Sequence, residues 1–264
     1  MHSKIVITLS LIAVLIFASA CDFTKKTVGS INLFPVEDDV KLGKQVAAEI
    51  ASNPAQYPIL KERGNEQVYR FIRGITQKIL NSGQVKYKDE FVWEVKIIDD
   101  DKTLNAFATP GGYIYVYTGL IKFLDSEDQL AGVMGHEIAH ADRRHSTKQM
   151  TQTLGVQMLL AAALGNSEAV QQVATGIIGL KFSRNHESDA DDYSVKYLCP
   201  TSYNAAGSAG FFRKIGSASG TPEFLSTHPS PENRVEDIEA EKNSLGCQGT
   251  STNASSYAKI KALL

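Results

Sequence analysis

The pentapeptide His136-Glu137-Ile138-Ala139-His140 constrains this chain more than any other feature of its sequence. Residues four apart on an α-helix are separated by about 6 Å along the axis and slightly more than one turn, so both imidazoles face one side. One metal ion can then bind both rings, with Glu137 placed to take a proton from a water activated by the ion. The alternative is a helix that carries two His and a Glu by chance. His145, five residues after His140, is expected off this face, exposed or as a helix C-terminal charge.

A zinc hydrolase needs a third protein ligand and one open position for water. The polar cluster of residues 183–191 offers Glu187, which would complete a His2Glu site with His136 and His140. His186 is the rival ligand, although it points about 100° away from Glu187 on a helix. Asp191 shares a helix face with Glu187 and is expected to accept a hydrogen bond from the free ring nitrogen of a ligating His. A solvated Asp is the alternative for this position.

Four motifs in order carry a resemblance to a known family. His136–His140 is preceded by Asn105–Gly112, and Glu187 follows 47 residues after His140, before Ser226-Thr227-His228-Pro229. Over roughly residues 36–245, this order resembles the metallopeptidase family that contains the HtpX-type membrane proteases and the soluble periplasmic BepA and LoiP proteases. The resemblance implies a zinc endopeptidase of gluzincin-like architecture that holds one Zn²⁺ per chain.

The resemblance also implies roles for residues around the zinc. In such proteases a strand beside the zinc helix pairs with extended substrate, and Tyr113, Ile114 and Tyr115 are the candidates for that sheet edge. A shielded edge without substrate is the alternative. His228 matches a family position near the metal, where it would stabilise the oxyanion or occupy the open coordination site as a latch. Arg234 is expected to face the site from the same segment. Plain surface residues before a helix are the alternative for both.

The remaining pattern predicts an α+β protein that is mostly α, with a small sheet beside the zinc helix. Residues 91–98 alternate as a strand, and residues 105–117 are typical of a hairpin that turns at Pro110-Gly111-Gly112. Helices are predicted over 36–52, 66–81, 126–144, 150–165, 169–180, 183–198, 205–215 and 231–242. We assign the metallopeptidase domain to residues 36–245 and a C-terminal tail to residues 246–264.

The N-terminus predicts export. Residues 1–20 combine a positive start, an apolar run over Ile5–Phe17 and small residues at 18–20. The sixteen residues from Ile5 to Ala20 are too few to span a bilayer, which favours a signal peptide over a membrane helix. Ala18-Ser19-Ala20-Cys21 resembles a bacterial lipobox, with Ala at the place where Leu is usual, so Cys21 is the expected lipidation site. Residues 21–35 would then tether the body to the inner or outer membrane. The chain has 27 Lys and Arg against 29 Asp and Glu, interspersed along its length, which argues against a nucleic-acid partner.

The chain has three cysteines, an odd number for an oxidising compartment. If Cys21 carries lipid, Cys199 and Cys247 remain and can pair, which would staple the C-terminal segment to the body. Two unpaired buried thiols are the alternative.

The sequence therefore predicts a zinc endopeptidase of the bacterial periplasm that acts on unfolded or misassembled envelope proteins. A latched, largely non-proteolytic protein with a chaperone-like role that retains the zinc site is the rival from another class. A metal hydrolase with a small substrate is a third, weaker interpretation, since no pocket residues argue for it.

Overall fold

The computed structural model describes residue 32 and residues 34–217, 222–229 and 233–264. The predicted signal peptide, Cys21 and most of the tether lie outside these residues. None of the helices in the described part of the chain is long and apolar enough to span a bilayer.

The described elements are mostly helical, with one small sheet. In chain order they are α1 (Val36–Ser52), α2 (Glu66–Leu80), β1 (Glu94–Ile98), β2 (Ala106–Thr109), β3 (Tyr113–Tyr117), α3 (Thr118–Phe123), α4 (Glu127–Asp142), α5 (His145–Leu154), α6 (Val156–Ala163), α7 (Ser167–Ile178), α8 (Arg184–Leu198), α9 (Gly207–Gly216), α10 (Glu223–Thr227), α11 (Arg234–Ser244) and α12 (Ala254–Lys261). The prediction of a mostly α, α+β protein with a small sheet beside the His-Glu-x-x-His helix is confirmed.

The sheet has the order β1-β3-β2, with β1 parallel and β2 antiparallel to β3. The hairpin of β2 and β3 turns at Gly111 and Gly112, whose φ angles of 74° and 87° favour glycine. The prediction that Tyr113, Ile114 and Tyr115 lie at a sheet edge was wrong, because β3 is the central strand. Strand β1, from earlier in the chain, covers the side of β3 that the hairpin leaves open, and no local pattern reveals such a long-range pairing.

Two apolar clusters cover the two faces of the sheet. Ile114 and Val116 point towards the cluster that contains α2, α4, α8 and α9. Tyr113, Tyr115 and Tyr117 point towards the other cluster, which contains α1 and α5 to α7. Successive residues of β3 point to opposite faces of the sheet. Since both faces are covered by an apolar cluster, every residue of β3 is buried.

The segment after α4 differs from the predicted helix over residues 150–165. Helix α5 begins earlier, at His145. Gly155, whose φ angle is 80°, interrupts the helix and separates α5 from α6. Arg144 adopts a left-handed conformation with φ of 59° between α4 and α5. Its guanidinium forms an ion pair with the buried carboxylate of Asp39 in the first turn of α1, which holds this turn in place.

Residues 246–264, which we assigned as a tail, pack onto the body. A disulfide joins Cys199 to Cys247, whose Cα atoms are 4.9 Å apart. Tyr257 of α12 is fully buried, and its hydroxyl donates a hydrogen bond to the carbonyl of Ile121 at 2.7 Å. The C-terminal segment is therefore part of the domain core.

Helix α4 approaches its neighbours closely through glycine. A Cβ atom on Gly132 would lie 2.2 Å from the backbone nitrogen of Ser208 in α9. The carbonyl of Gly132 also accepts a hydrogen bond at 2.8 Å from the Ser194 hydroxyl in α8. The absent side chain therefore lets α4 lie against α9, while the hydrogen bond from Ser194 joins α4 to α8.

We expect Gly132→Ala to lower the free energy of unfolding by about 1–3 kcal/mol, since the added methyl group meets backbone that cannot move away cheaply. Gly74→Ala is the matched control, because a Cβ atom at Gly74 in α2 meets nothing within 4 Å. That change should raise stability by roughly 0.5–1 kcal/mol through helix propensity. Urea denaturation of both variants checks this, and equal effects would contradict it.

Candidate metal centre

His136 and His140 lie on one face of the buried helix α4. Their Nε2 atoms are directed to the same point and are 3.0 Å apart. Neither side chain is exposed to solvent. The helical repeat accounts for this arrangement, because residues four apart lie one above the other.

Glu187 reaches the same point from the first turn of α8. The Ser183 hydroxyl caps this helix by accepting a hydrogen bond from the backbone N–H of His186 at 3.2 Å. The two carboxylate oxygens of Glu187 lie 3.4 Å from His136 Nε2 and 3.4 Å from His140 Nε2. Two helices that are distant in sequence therefore bring the three expected ligands together.

His228 follows α10 and contributes a fourth candidate ligand atom. Its Nδ1 lies 3.1 Å from a Glu187 oxygen and 3.3 Å from His136 Nε2. The ring stacks on Phe224 with centroids 4.3 Å apart, which fixes its orientation. One ligand atom from each of His136, His140, Glu187 and His228 lies within 4.8 Å of the other three.

His186, the rival ligand in the sequence analysis, is outside this group. It points away from Glu187 on α8, and its ring stacks on that of His145 with centroids 4.5 Å apart. The half-buried position of His186 follows from the helical rotation of about 100° per residue.

The group fits a divalent metal ion in both geometry and charge. A tetrahedral ion with bonds of about 2.0–2.1 Å keeps its ligand atoms roughly 3.3 Å apart, and the separations here are 3.0 and 3.4 Å. When ionised, the buried carboxylates of Glu137, Glu187 and Asp191 outnumber the buried guanidinium of Arg234 by two charges. A bound divalent cation would offset this charge, which is costly to bury unpaired.

Asp191 and Arg234 contact the candidate ligands His136 and Glu187. Asp191 lies 2.9 Å from Nδ1 of His136, as expected for a carboxylate that fixes a ligand tautomer. Arg234 donates hydrogen bonds to Glu187 at 3.0 Å and to Asp191 at 2.8 Å. Its guanidinium lies 3.7 Å from the centroid of the Phe212 ring, so a cation–π contact supports it.

The same contacts control the protonation of His136. Burial lowers its pKa, but the hydrogen bonds and charges of Asp191 and Glu187 outweigh burial and raise the pKa to about 9. A metal ion must therefore displace a proton from His136, which makes metal affinity depend on pH.

Glu137 lies beside the metal-binding face with both carboxylate oxygens free of hydrogen bonds from the described residues. One oxygen is 3.6 Å from Nε2 of His228. Burial raises the pKa of the carboxyl, while the charges of His228 and His136 lower it. A buried carboxylate without a hydrogen-bond partner is suited to accept a proton from a molecule that enters the site.

His145 is buried, contrary to the prediction that it is exposed or a helix C-terminal charge. Its Nδ1 lies 3.1 Å from Nδ1 of His140, and its Nε2 lies 3.0 Å from Asp189. Burial lowers the pKa of His145 although Asp189 opposes this. The prediction failed because it extended the geometry of α4 past Asp142, where that helix ends and the left-handed Arg144 changes the direction of the chain. No local pattern in the sequence indicates the contacts of His145 and Asp189.

Strand β2 borders the site. Backbone groups of Asn105 face β3, since its carbonyl accepts a hydrogen bond from the N–H of Tyr117 at 3.1 Å. By antiparallel alternation, the N–H and C=O groups of Ala106 and Ala108 point away from β3. The backbone of Ala108 lies near enough to the Glu137 carboxyl to lower its pKa. The outer side of β2 is thus the strand edge nearest to the candidate metal centre.

Comparisons with known proteins agree with this geometry. The family model described as peptidase family M48 matches residues 66–242. The chain is 33% identical over 155 residues to a putative beta-barrel assembly-enhancing protease of Vibrio cholerae, which covers 52% of this chain and 32% of that protein. It is 30% identical over 155 residues to the mitochondrial metalloendopeptidase OMA1 of Schizosaccharomyces pombe, covering 56% of this chain and 46% of that protein.

A third relative has a similar sequence identity, and the match covers a larger share of its length. The metalloprotease YcaL of Escherichia coli is 30% identical over 145 residues, which cover 51% of this chain and 57% of that protein. In these three matches the similarity spans between about a third and somewhat more than half of the relative's length.

We expect His140→Ala and Glu187→Ala to lose most of the bound metal, because each removes one of the converging ligand atoms from the buried site. His186→Ala is the control, since that imidazole is adjacent in sequence but outside the group. Elemental analysis of the purified variants measures the metal content per chain. A full complement of metal in Glu187→Ala would show that Glu187 is not a ligand.

Proposed function

The chain belongs to peptidase family M48, and from this premise we propose that it is a zinc-dependent endopeptidase that cleaves unfolded or misassembled envelope proteins. One observation carries the proposal: the ligand atoms of His136, His140 and Glu187 converge on one point, and the buried carboxylate of Glu137 lies beside the ring of His228 at the same place. Two imidazoles and one carboxylate are a ligand set that suits zinc used to activate water for peptide cleavage.

The proposed ligands are His136, His140 and Glu187, and Glu137 is the proposed general base. Zinc, when bound, would polarise the scissile carbonyl and make water more acidic. Glu137 takes the proton of the attacking water and later passes it to the leaving amine. Burial supports this role, because it raises the pKa of Glu137 and makes the carboxylate a better proton acceptor.

Substrate would bind as an extended segment along the outer side of β2. The carbonyls of Ala106 and Ala108 that point away from β3 can accept hydrogen bonds from such a segment. The N–H of Ala106 already donates to Oδ1 of Asn105 at 2.9 Å, so a substrate strand would have to displace that contact. Such pairing uses the backbone of the substrate rather than its side chains. It requires an extended segment, so it favours substrates that are unfolded or form a loop at the cleavage site. The proposal moves the substrate strand from Tyr113–Tyr115 to its hairpin partner.

His228 is proposed as a latch on this site. Its Nδ1 lies as close to Glu187 and His136 as the ligands lie to one another, which supports a fourth ligand in place of water. A protein held in this state would cleave rarely, and this observation favours the second candidate function, a largely non-proteolytic chaperone-like protein. The other role proposed for His228, stabilisation of the oxyanion, requires its ring to leave the ligand position.

The bacterial envelope is the proposed location. One relative is named for an effect on beta-barrel assembly, which fits protein substrates of the envelope. The apolar run before Cys21 supports export and a lipid anchor at that residue.

We expect Glu137→Gln to slow casein cleavage by about 10²–10⁴-fold, because the amide cannot take a proton from water. The metal content of this variant should match the parent, since Glu137 is not one of the converging ligands. Casein degradation and elemental analysis are measured on the same preparation. A variant that cuts casein at the parental rate would show that the assigned base is wrong.

His228→Ala should speed casein degradation while the zinc content is kept, because removal of the latch opens the position that water needs. His186→Ala, which removes an imidazole outside the ligand group, is the control and should leave the rate unchanged. A slower His228→Ala enzyme with full zinc would instead assign His228 to oxyanion stabilisation.

A further inference from the structure

His140 directs its two ring nitrogens to different partners. Nε2 faces Nε2 of His136 at 3.0 Å and Glu187 at 3.4 Å, which makes it the metal-binding nitrogen. Nδ1 faces Nδ1 of His145 at 3.1 Å. A ring that binds metal through Nε2 carries its proton on Nδ1, so His140 donates this hydrogen bond and His145 accepts it.

The next contact fixes the proton of His145. Since its Nδ1 accepts from His140, the neutral ring carries its proton on Nε2, which lies 3.0 Å from the Asp189 carboxylate. Asp189 in turn accepts a hydrogen bond from Nε of Arg143 at 2.7 Å. The hydrogen bonds therefore run in one direction, from His140 through His145 to an Asp that is paired with Arg143.

The chain reverses in a way that makes this contact possible. His145 is the first residue of α5, and the left-handed Arg144 before it returns the backbone towards α4. The ring of His145 is then only 1% exposed, between His140 and His186. A buried imidazole with both nitrogens engaged acts as a fixed support for the side chain that it contacts.

Helix α8 supplies the anchors for both ligand imidazoles. Asp191 contacts Nδ1 of His136 directly at 2.9 Å, whereas Asp189 reaches His140 through His145. Residues 189 and 191 lie about 200° apart around the helix, which is why the second carboxylate needs an intermediary. A hydrogen-bonded partner on the free nitrogen fixes the tautomer and orientation of a ligating His.

We propose that His145 is a positioning residue of the metal centre, which holds His140 with Nε2 towards the ion and is itself anchored by Asp189. The inference depends on the proposed function in one respect, that His140 is a metal ligand. His145 touches neither substrate nor metal, so it acts through His140 alone.

The test compares the zinc affinity of four full-length proteins by competition with a chromophoric chelator. His145→Phe keeps a ring of similar shape but removes the acceptor for the His140 proton. His145→Asn restores an acceptor oxygen near the position of Nδ1. His186→Phe is the matched control, because it keeps the stacked ring on the far side of His145 without a place in the hydrogen-bonded series.

We expect His145→Phe to weaken zinc binding about 10–100-fold, the range for loss of a partner of a metal ligand. His145→Asn should recover much of this loss, and His186→Phe should bind zinc as the parent does. The unfolding midpoint of each metal-free protein is measured as well, so that zinc affinities are compared only among proteins that are folded under the assay conditions. Parental affinity in His145→Phe, no recovery in His145→Asn, or an equal loss in His186→Phe would each overturn the proposal.

A second measurement covers a His145→Phe protein that does not fold. Nitrogen-15 NMR of the zinc-loaded parent reports the protonation of each ring, and His145 should carry its proton on Nε2 alone. A proton on Nδ1 of His145 would refute the inference. If the parent protein binds no zinc, both the proposed function and this inference are refuted. If the parent binds zinc but the variants do not behave as expected, only the role of His145 is refuted.

Discussion

A group of ionisable side chains buried between α4 and α8 is the constraint on which the rest of the structure depends. His136, His140 and Glu187 are completely buried, and Asp191 and Arg234 are nearly so. Removing each charge from water costs several kcal/mol unless it is paired and hydrogen-bonded. The guanidinium of Arg234 compensates part of the negative charge, and a divalent cation would compensate the remainder.

Close helix packing keeps these side chains at fixed distances. Gly132 lets α4 approach the backbone of α9, and Gly135 lets it approach Ser194 of α8. Close packing restricts the movement of side chains, and the ligand atoms of His136, His140 and Glu187 lie 3.0–3.4 Å apart. The Cys199–Cys247 disulfide and the buried Tyr257 hold the C-terminal segment against the same core.

The sheet separates two apolar clusters of the body. Its face with Ile114 and Val116 packs on the side of α4, and its tyrosine face packs on α1 and α5 to α7. The chain passes from one region to the other at Arg144, where the ion pair with Asp39 anchors the turn. The turn at Arg144 places the ring of His145 next to Nδ1 of His140. The outer side of the edge strand β2 lies beside Glu137.

The sequence by itself determined the features that depend on local periodicity and residue chemistry. The spacing of His136 and His140 places them on one face of any helix, and the chemistry of zinc then requires a third ligand such as Glu187. The tertiary structure alone decided that β3 is central, that β2 borders the site and that His145 supports His140. These facts depend on strand pairing between distant segments and on a chain reversal at Arg144, and such contacts form between residues whose sequence separation carries no periodic signal.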